Sequence, residues 1–433
     1  MRVRGAAAGR GRAAAWGGRL GWLGVVVAAA VALGAAGCDG GGAAAGADVV
    51  ETGDSADAGV DTNVISPVGA YSIHEWGTLT SFQGSDGVPV AGAVIPEEAL
   101  PGFVVRDSAA AGTALPAWRL QAPAFYVHAA VPGRLELALE VSGGRVLAAW
   151  PPPSPSAAGD SSGNTGRIAW SLDVGAAADV LDPLAISGSV WDPLRAVDAA
   201  LVKTAGVSER FLYYEAQDAG AGADLPLAVS SADSETITAT NTASGAAADR
   251  VIPMAWYVWV HGGGGLIASL GPIEGTRSFI RLPTPKELDV DVFELKARGA
   301  LEADLASLGL RADEAHALVD AWDHSVFRTH GRRLIYVMPP AWAAEHVSVA
   351  LDPAPEAHVR VWLGRVEFML PSDEVFLLAD LRAQQQAGAV ASDLPASLGP
   401  FAAAKLARAR GLIDADDPLA AWLAGALDGP SPK

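Results

Sequence analysis

From residue 71 onward the chain runs in short stretches that are either continuously apolar or alternate apolar with polar residues, each bounded by Gly, Pro, Asn or Asp. Alternation with period two over four to eight residues predicts half-buried strands, and short unbroken apolar runs predict strands covered on both faces. These rules predict strands at 71–82, 118–129, 134–141, 145–150, 167–174, 210–216, 236–242, 254–261 and 266–270. Gly143-Gly144 between two of them is a two-residue hairpin signal. Asp182-Pro183 and Asp192-Pro193 each pair an N-cap residue with a proline suited to the first helical position.

After Thr284-Pro285 the periodicity changes. Residues 286–308 read as a helix that Gly309 stops, and 311–327 carry Ala315, Leu318, Val319 and Trp322 at helical spacing. Strands are predicted at 333–338, 347–351 and 358–369, with a short helical piece at 341–346. Further helices open at Ser372-Asp373-Glu374 and cover 401–410 and 418–427. The expected fold class is α+β, with a β-rich, sandwich-like unit over 68–283 followed by an α+β unit over 284–433.

Ahead of these elements lies a different texture. Arg2, Arg4, Arg10, Arg12 and Arg19 precede an uncharged segment, 20–37, that ends in Leu33-Gly34-Ala35-Ala36-Gly37 and is followed by Cys38. A basic start followed by an apolar stretch is the layout of a secretory signal, and the positive charges favour retention of that end on the cytoplasmic side. The small residues followed by Cys38 resemble a bacterial lipobox. That resemblance implies a signal peptide over 1–37, cleavage before Cys38, and lipidation of Cys38, the only cysteine in the chain. More than one acyl chain is needed for stable anchoring, since each buried methylene contributes about 0.8 kcal/mol. An uncleaved membrane anchor is the alternative, because the apolar segment reaches the lower limit for a span. Residues 38–67 are rich in Gly, Ala and acidic groups and lack Lys and Arg, as expected of a lipidated flexible tether.

The whole chain has 433 residues and a formal charge of −19. Loss of the five leading arginines would take the exported part to −24. A surface so acidic repels phosphate backbones, so nucleic acid is not expected as a partner. A single cysteine rules out a disulfide framework and a thiolate metal cluster. The partner expected from the N-terminus is a membrane, reached through the lipid anchor.

The run His74-Glu75-Trp76-Gly77-Thr78-Leu79-Thr80-Ser81-Phe82, followed by the Gly84–Gly87 turn, resembles the opening motif of a group of exported bacterial proteins with no established activity. The stretches Ala122-Pro123-Ala124-Phe125-Tyr126 and Glu209-Arg210-Phe211-Leu212-Tyr213-Tyr214, and the block 310–371 with its DAWDHSVF, LIYVMP and RVWLGRVEFMLP segments, are similar to the same group. Leu79 stands where that pattern has Phe, and Gln121-Ala122 where it has an acidic residue and Thr. The resemblance implies export and assigns no catalytic residue.

On a strand, His74, Trp76 and Thr78 share one face and Ile73, Glu75 and Gly77 the other, so His74 and Glu75 face one ligand together only if the strand is bulged. Two readings of the motif follow. In one, His74 is a base or ligand with Glu75 and the turn residue Asp86 as partners. In the other, Trp76 fills the core, His74 is hydrogen-bonded beside it, and Asp86 fixes the turn.

Trp256-Tyr257-Val258-Trp259-Val260-His261 followed by four glycines superficially matches an oxyanion loop, and Gly159-Asp160-Ser161-Ser162-Gly163 matches a nucleophile elbow. Their order along the chain is reversed relative to that fold, and a glycine turn between two strands accounts for 262–265. Tyr257, Trp259 and His261 lie on one face of that strand. An exposed face would offer an aromatic platform for sugar rings, together with Trp76, whereas two covered faces would not. His316 and Asp320 share a helix face, Asp323 and His324 lie nearby, and Arg328, Arg332 and Arg333 form a local basic group expected to meet a carboxylate or to pair with Asp320 and Asp323.

The expected function is a lipid-anchored cell-envelope protein acting as a binding or structural component, with a glycan or another envelope protein as partner and no cofactor or resident metal. The alternative is a metal-assisted hydrolase of an envelope polymer or glycan, drawing on His74, Glu75, Asp86 and either His128 or His261.

Overall fold

In a computed structural model of the chain, residues 66–92, 100–106, 118–154, 166–175, 191–218, 225–243, 251–274, 277–283 and 288–427 are described, the side chains of Ala122, Asp218, Asp323, His324, Ala426 and Leu427 excepted. The signal segment, nearly all of the tether, Cys38, the Asp182-Pro183 helix start and the Gly159–Gly163 run lie outside the described residues.

Among the described residues the strands form three sheets. The largest has ten, in the order Leu288–Asp289, Gly264–Ile273, Ile252–His261, Gly331–Val337, Ala357–Phe368, Tyr71–Gln83, Trp118–Ala129, Leu212–Asp218, Gly144–Trp150 and Val105–Arg106. Its neighbours are antiparallel except at the centre, where Tyr71–Gln83 and Ala357–Phe368 run parallel from Ser72 beside Ala357 to Gln83 beside Phe368. A five-stranded sheet (Val347–Asp352, Gly133–Val141, Arg167–Val174, Val202–Thr204, Val207–Glu209) and a three-stranded sheet (Leu227–Ser230, Thr236–Asn241, Arg277–Arg281) complete the set.

Both faces of the large sheet are covered. On one, Ile73, Phe125, Tyr214, Tyr257 and Trp362 pack against Leu137, Trp170, Leu172, Leu227 and Ile237 of the smaller sheets, which is the sandwich-like part of the fold. On the other, Trp76, Tyr126, Trp256, Val258 and Leu363 pack against helices Trp191–Ala196, Val290–Ser307 and Ala312–Asp320. A separate core around Phe82, Met369, Leu381, Phe401 and Leu423 joins the C-terminal helices to the end of the central strands. The fold is α+β with a dominant β-rich part. Among the described residues no helix is long and apolar enough to cross a membrane.

The helices start and stop for local reasons. The Asp289 side chain accepts the Asp291 amide at 3.1 Å and caps Val290–Ser307, while Gly309, at φ +105°, lets the chain turn out of that helix.

Residue 284 does not divide two compact units, since Asn63–Lys433 forms one. Gly331–Val337 and Ala357–Phe368 lie between Ile252–His261 and Tyr71–Gln83, so segments from both sides of that position alternate within one sheet. The charged residues in these C-terminal strands disguise their central place. Arg333, Arg365 and Glu367 are buried, yet Glu367 Oε1 lies 2.7 Å from Arg333 Nε and 2.8 Å from Arg365 Nε, and the Ser325 carbonyl accepts Arg365 Nη2 at 2.7 Å. Pairing of this kind is what admits charges to an interior.

Candidate functional site

The central strand Tyr71–Gln83 delivers alternate residues to opposite layers, as its period requires. His74, Trp76 and Thr78 face the helices, and Ile73, Glu75 and Leu79 face the smaller sheets. On the neighbouring strand Tyr126 pairs with His74 and His128 pairs with Ser72. His74 and His128 are therefore diagonal neighbours on one sheet face, within reach of each other. Their rings meet edge to face at 4.6 Å between centroids.

Helix Ala312–Asp320 begins directly above this pair. Glu314, in its first turn, folds back so that Oε2 accepts the Arg311 backbone N–H at 2.8 Å, one half of a capping box. The same carboxylate faces the imidazoles: Oε2 lies 2.8 Å from His74 Nδ1 and Oε1 lies 2.9 Å from His128 Nε2. Glu314 is fully buried and His74 is 8% exposed.

Burial by itself raises the Glu314 carboxyl, but hydrogen bonds from His128, His74 and the Arg311 amide overcome it and hold the group down to about 2. An ionised carboxylate only accepts hydrogen bonds. In this arrangement His74 consequently donates from Nδ1 and His128 from Nε2. The ligand-type atoms of the three side chains all lie within 4.8 Å of one another. Chemically the cluster is a pair of borderline nitrogen donors and one hard oxygen on three rigid elements.

The rest of the motif is occupied by packing. Trp76 is fully buried and stacks on Tyr126 at 5.9 Å. At Gly77 a Cβ would come within 2.9 Å of the Pro123 backbone, so only glycine fits where the pairing register shifts between Trp76 and Thr78. Thr78 accepts the Trp322 indole N–H at 3.0 Å.

Glu75 points into the opposite layer. It is fully buried, accepts Arg360 Nε at 2.5 Å and the Tyr214 hydroxyl at 3.0 Å, and lies 3.5 Å from His358 Nε2. Burial works to raise its carboxyl, and Arg360 and His358 together outweigh that and lower it. Asp86 fixes the turn after the strand: Oδ1 accepts the Val88 amide at 3.0 Å and Oδ2 accepts Arg408 Nη1 at 2.8 Å. His261 rests on Trp259 at 4.1 Å, with the Arg332 guanidinium 4.5 Å from the Trp259 ring centroid. Of the residues the sequence singled out, the fold brings His74 and His128 together and places Glu75, Asp86 and His261 elsewhere.

Tyr257 and Trp76 are buried and present no face to a sugar, Tyr257 in the core against the smaller sheets and Trp76 in the core against the helices. Gly262 and Gly263, at φ +48° and +95°, form the hairpin turn to Gly264–Ile273. His316 lies 2.9 Å from Glu302 and 3.4 Å from Asp320 at the surface. The three arginines part company: Arg328 meets Glu294 at 2.7 Å, Arg332 meets Asp373 at 2.7 Å, and Arg333 enters the core.

Glu314 is the member of the cluster that sequence reasoning missed. Its sequence signal is local and bland, a glutamate in the first turn of a helix, where helix capping alone accounts for it. No protein-family model matches this chain, and a search of curated proteins finds no match.

Proposed function

We propose that this chain is a lipid-anchored protein of the bacterial cell envelope that works as a binding component, with His74, His128 and Glu314 as its binding centre. The placement is supported by the basic start, the apolar segment and the Gly37-Cys38 junction, together with the likeness of the HEWGT segment to exported bacterial proteins. The binding role is carried by one observation, the convergence of two imidazoles and a buried carboxylate from segments far apart in the chain. The groups that the hydrolase alternative needs as bases are committed otherwise, Glu75 to Arg360 on the far face of the sheet and Asp86 to Arg408. A carboxylate locked by a guanidinium is a poor proton acceptor.

Labelling with a clickable palmitate analogue in a bacterial host tests the anchor. Wild-type chain is expected to carry label and sediment with membranes, and Cys38→Ser to lose the label. Label that persists in Cys38→Ser overturns the anchor.

A further inference from the structure

We infer that His74 Nδ1, His128 Nε2 and the Glu314 carboxylate bind one divalent ion of the zinc class and leave part of its coordination sphere for an exogenous ligand. This rests on the binding role proposed above and names what is bound.

The donor set decides the class. Calcium and magnesium take oxygen ligands almost exclusively, whereas two imidazoles and one carboxylate suit zinc and its neighbours in the first transition row. Bonds of about 2.0–2.2 Å to such an ion set tetrahedral donors roughly 3.3 Å apart. The present N···O separations of 2.8 and 2.9 Å need to open by a few tenths of an ångström, and the wider separations in the group, all within 4.8 Å, need to close by up to about 1.5 Å, movements within side-chain reach.

Preorganisation supports the same conclusion. His74 and His128 sit on paired inner strands of the ten-stranded sheet, and the Arg311 amide holds the carboxylate from behind, the kind of outer contact that orients metal ligands. The charge balance is favourable as well, because a dication on a buried carboxylate replaces hydrogen-bond donors with a stronger counter-charge. Among the described residues no fourth His, Cys, Asp or Glu joins the group. Closed structural zinc sites have four protein ligands, and three-ligand sites keep a position for water or a partner. The side chains of His74 and His128 are 10% and 7% exposed, which leaves a narrow opening to solvent.

The test uses full-length Cys38→Ser protein, so that no thiol competes for metal, stripped with chelator and titrated with Zn²⁺ or Co²⁺ by calorimetry and elemental analysis. One ion per chain is expected, with no uptake of Ca²⁺ or Mg²⁺ at equal concentration. Glu314→Gln, which keeps an acceptor for the Arg311 amide, and His128→Ala are each expected to weaken binding by about a hundredfold or more. His261→Ala is expected to bind as the parent does. Visible bands of four- or five-coordinate cobalt that shift on adding azide support the open position. Absence of stoichiometric metal, or equal affinity in Glu314→Gln and His128→Ala proteins that melt cooperatively, overturns the inference. Bands indifferent to azide overturn the exogenous ligand. The two readings fail separately: metal binding without palmitate label removes the anchor alone, and label without metal removes the ion alone.

Discussion

His74 and Glu75 are neighbours in the chain and look into opposite layers, and each takes part in pairing a fully buried carboxylate, Glu314 in one case and Glu75 itself in the other, with a partner of a different kind. On the helix side the carboxylate of Glu314 is held by two imidazoles, whose nitrogens can be given up to another acceptor. On the sheet side the carboxylate of Glu75 is held by Arg360, a cation that keeps its proton at every relevant pH, with Tyr214 as a further donor. Two ionised glutamates under similar burial thus have different chemical prospects. What separates the proposed metal centre from a lock, in this protein, is the partner and not the carboxylate.

The largest effect that distinguishes the two faces is expected from removing the lock. Arg360→Ala leaves Glu75 in the core without its guanidinium, with the Tyr214 hydroxyl and the more distant His358 as its remaining partners, and urea unfolding should show a loss of about 3–5 kcal/mol. The double variant Glu75→Met/Arg360→Met should recover most of it, because the buried pair is then replaced by packing. A single variant as stable as wild type would show that water reaches Glu75 and would erase the contrast. On the other face, His128→Ala removes one of the donors to Glu314 while His74 and the Arg311 amide remain. The expected cost is smaller, about 1–3 kcal/mol by the same measurement. A loss as large as that of Arg360→Ala would mean that the imidazoles are structural locks too.

The smallest effect is a dependence on acid. The Glu75 carboxyl is lowered from its ordinary 4.5 in the folded protein, so the unfolded chain binds the proton first as pH falls. Its contribution to stability is present above about pH 4.5 and is lost progressively below it, as pH drops through the lower folded value. Compared with the double methionine variant, wild type should show the steeper fall in unfolding midpoint over this range. Parallel profiles would mean that the Glu75 lock contributes nothing ionic.

Much of this arrangement was legible in the sequence. Strands Trp118–Ala129 and Arg167–Val174 begin and end where their apolar patterns do. Period-two alternation correctly separates His74 from Glu75, which is why a joint His74–Glu75 ligand pair fails. What could not be read is long-range pairing. Nothing local says that Ala357–Phe368 lies against Tyr71–Gln83, and the buried Arg365 and Glu367 make a central strand look like a peripheral one. Glu314 is hidden for a related reason, since a capping glutamate looks the same whether its free edge meets water or two histidines from another part of the chain.

The parallel contact at the heart of the large sheet also governs when the protein can become itself. The strand at Tyr71 must wait for one of the last to be synthesised before its far side is closed. Native pairings so distant along the chain slow folding, since the entropy of closing large loops is spent before the contacts that offset it form. Under the export proposed above, delay would be an asset: the central core stays unassembled while translation proceeds, and a threadable chain is what a translocation channel accepts. Mutual repulsion from its acidic surplus would help keep such waiting chains apart.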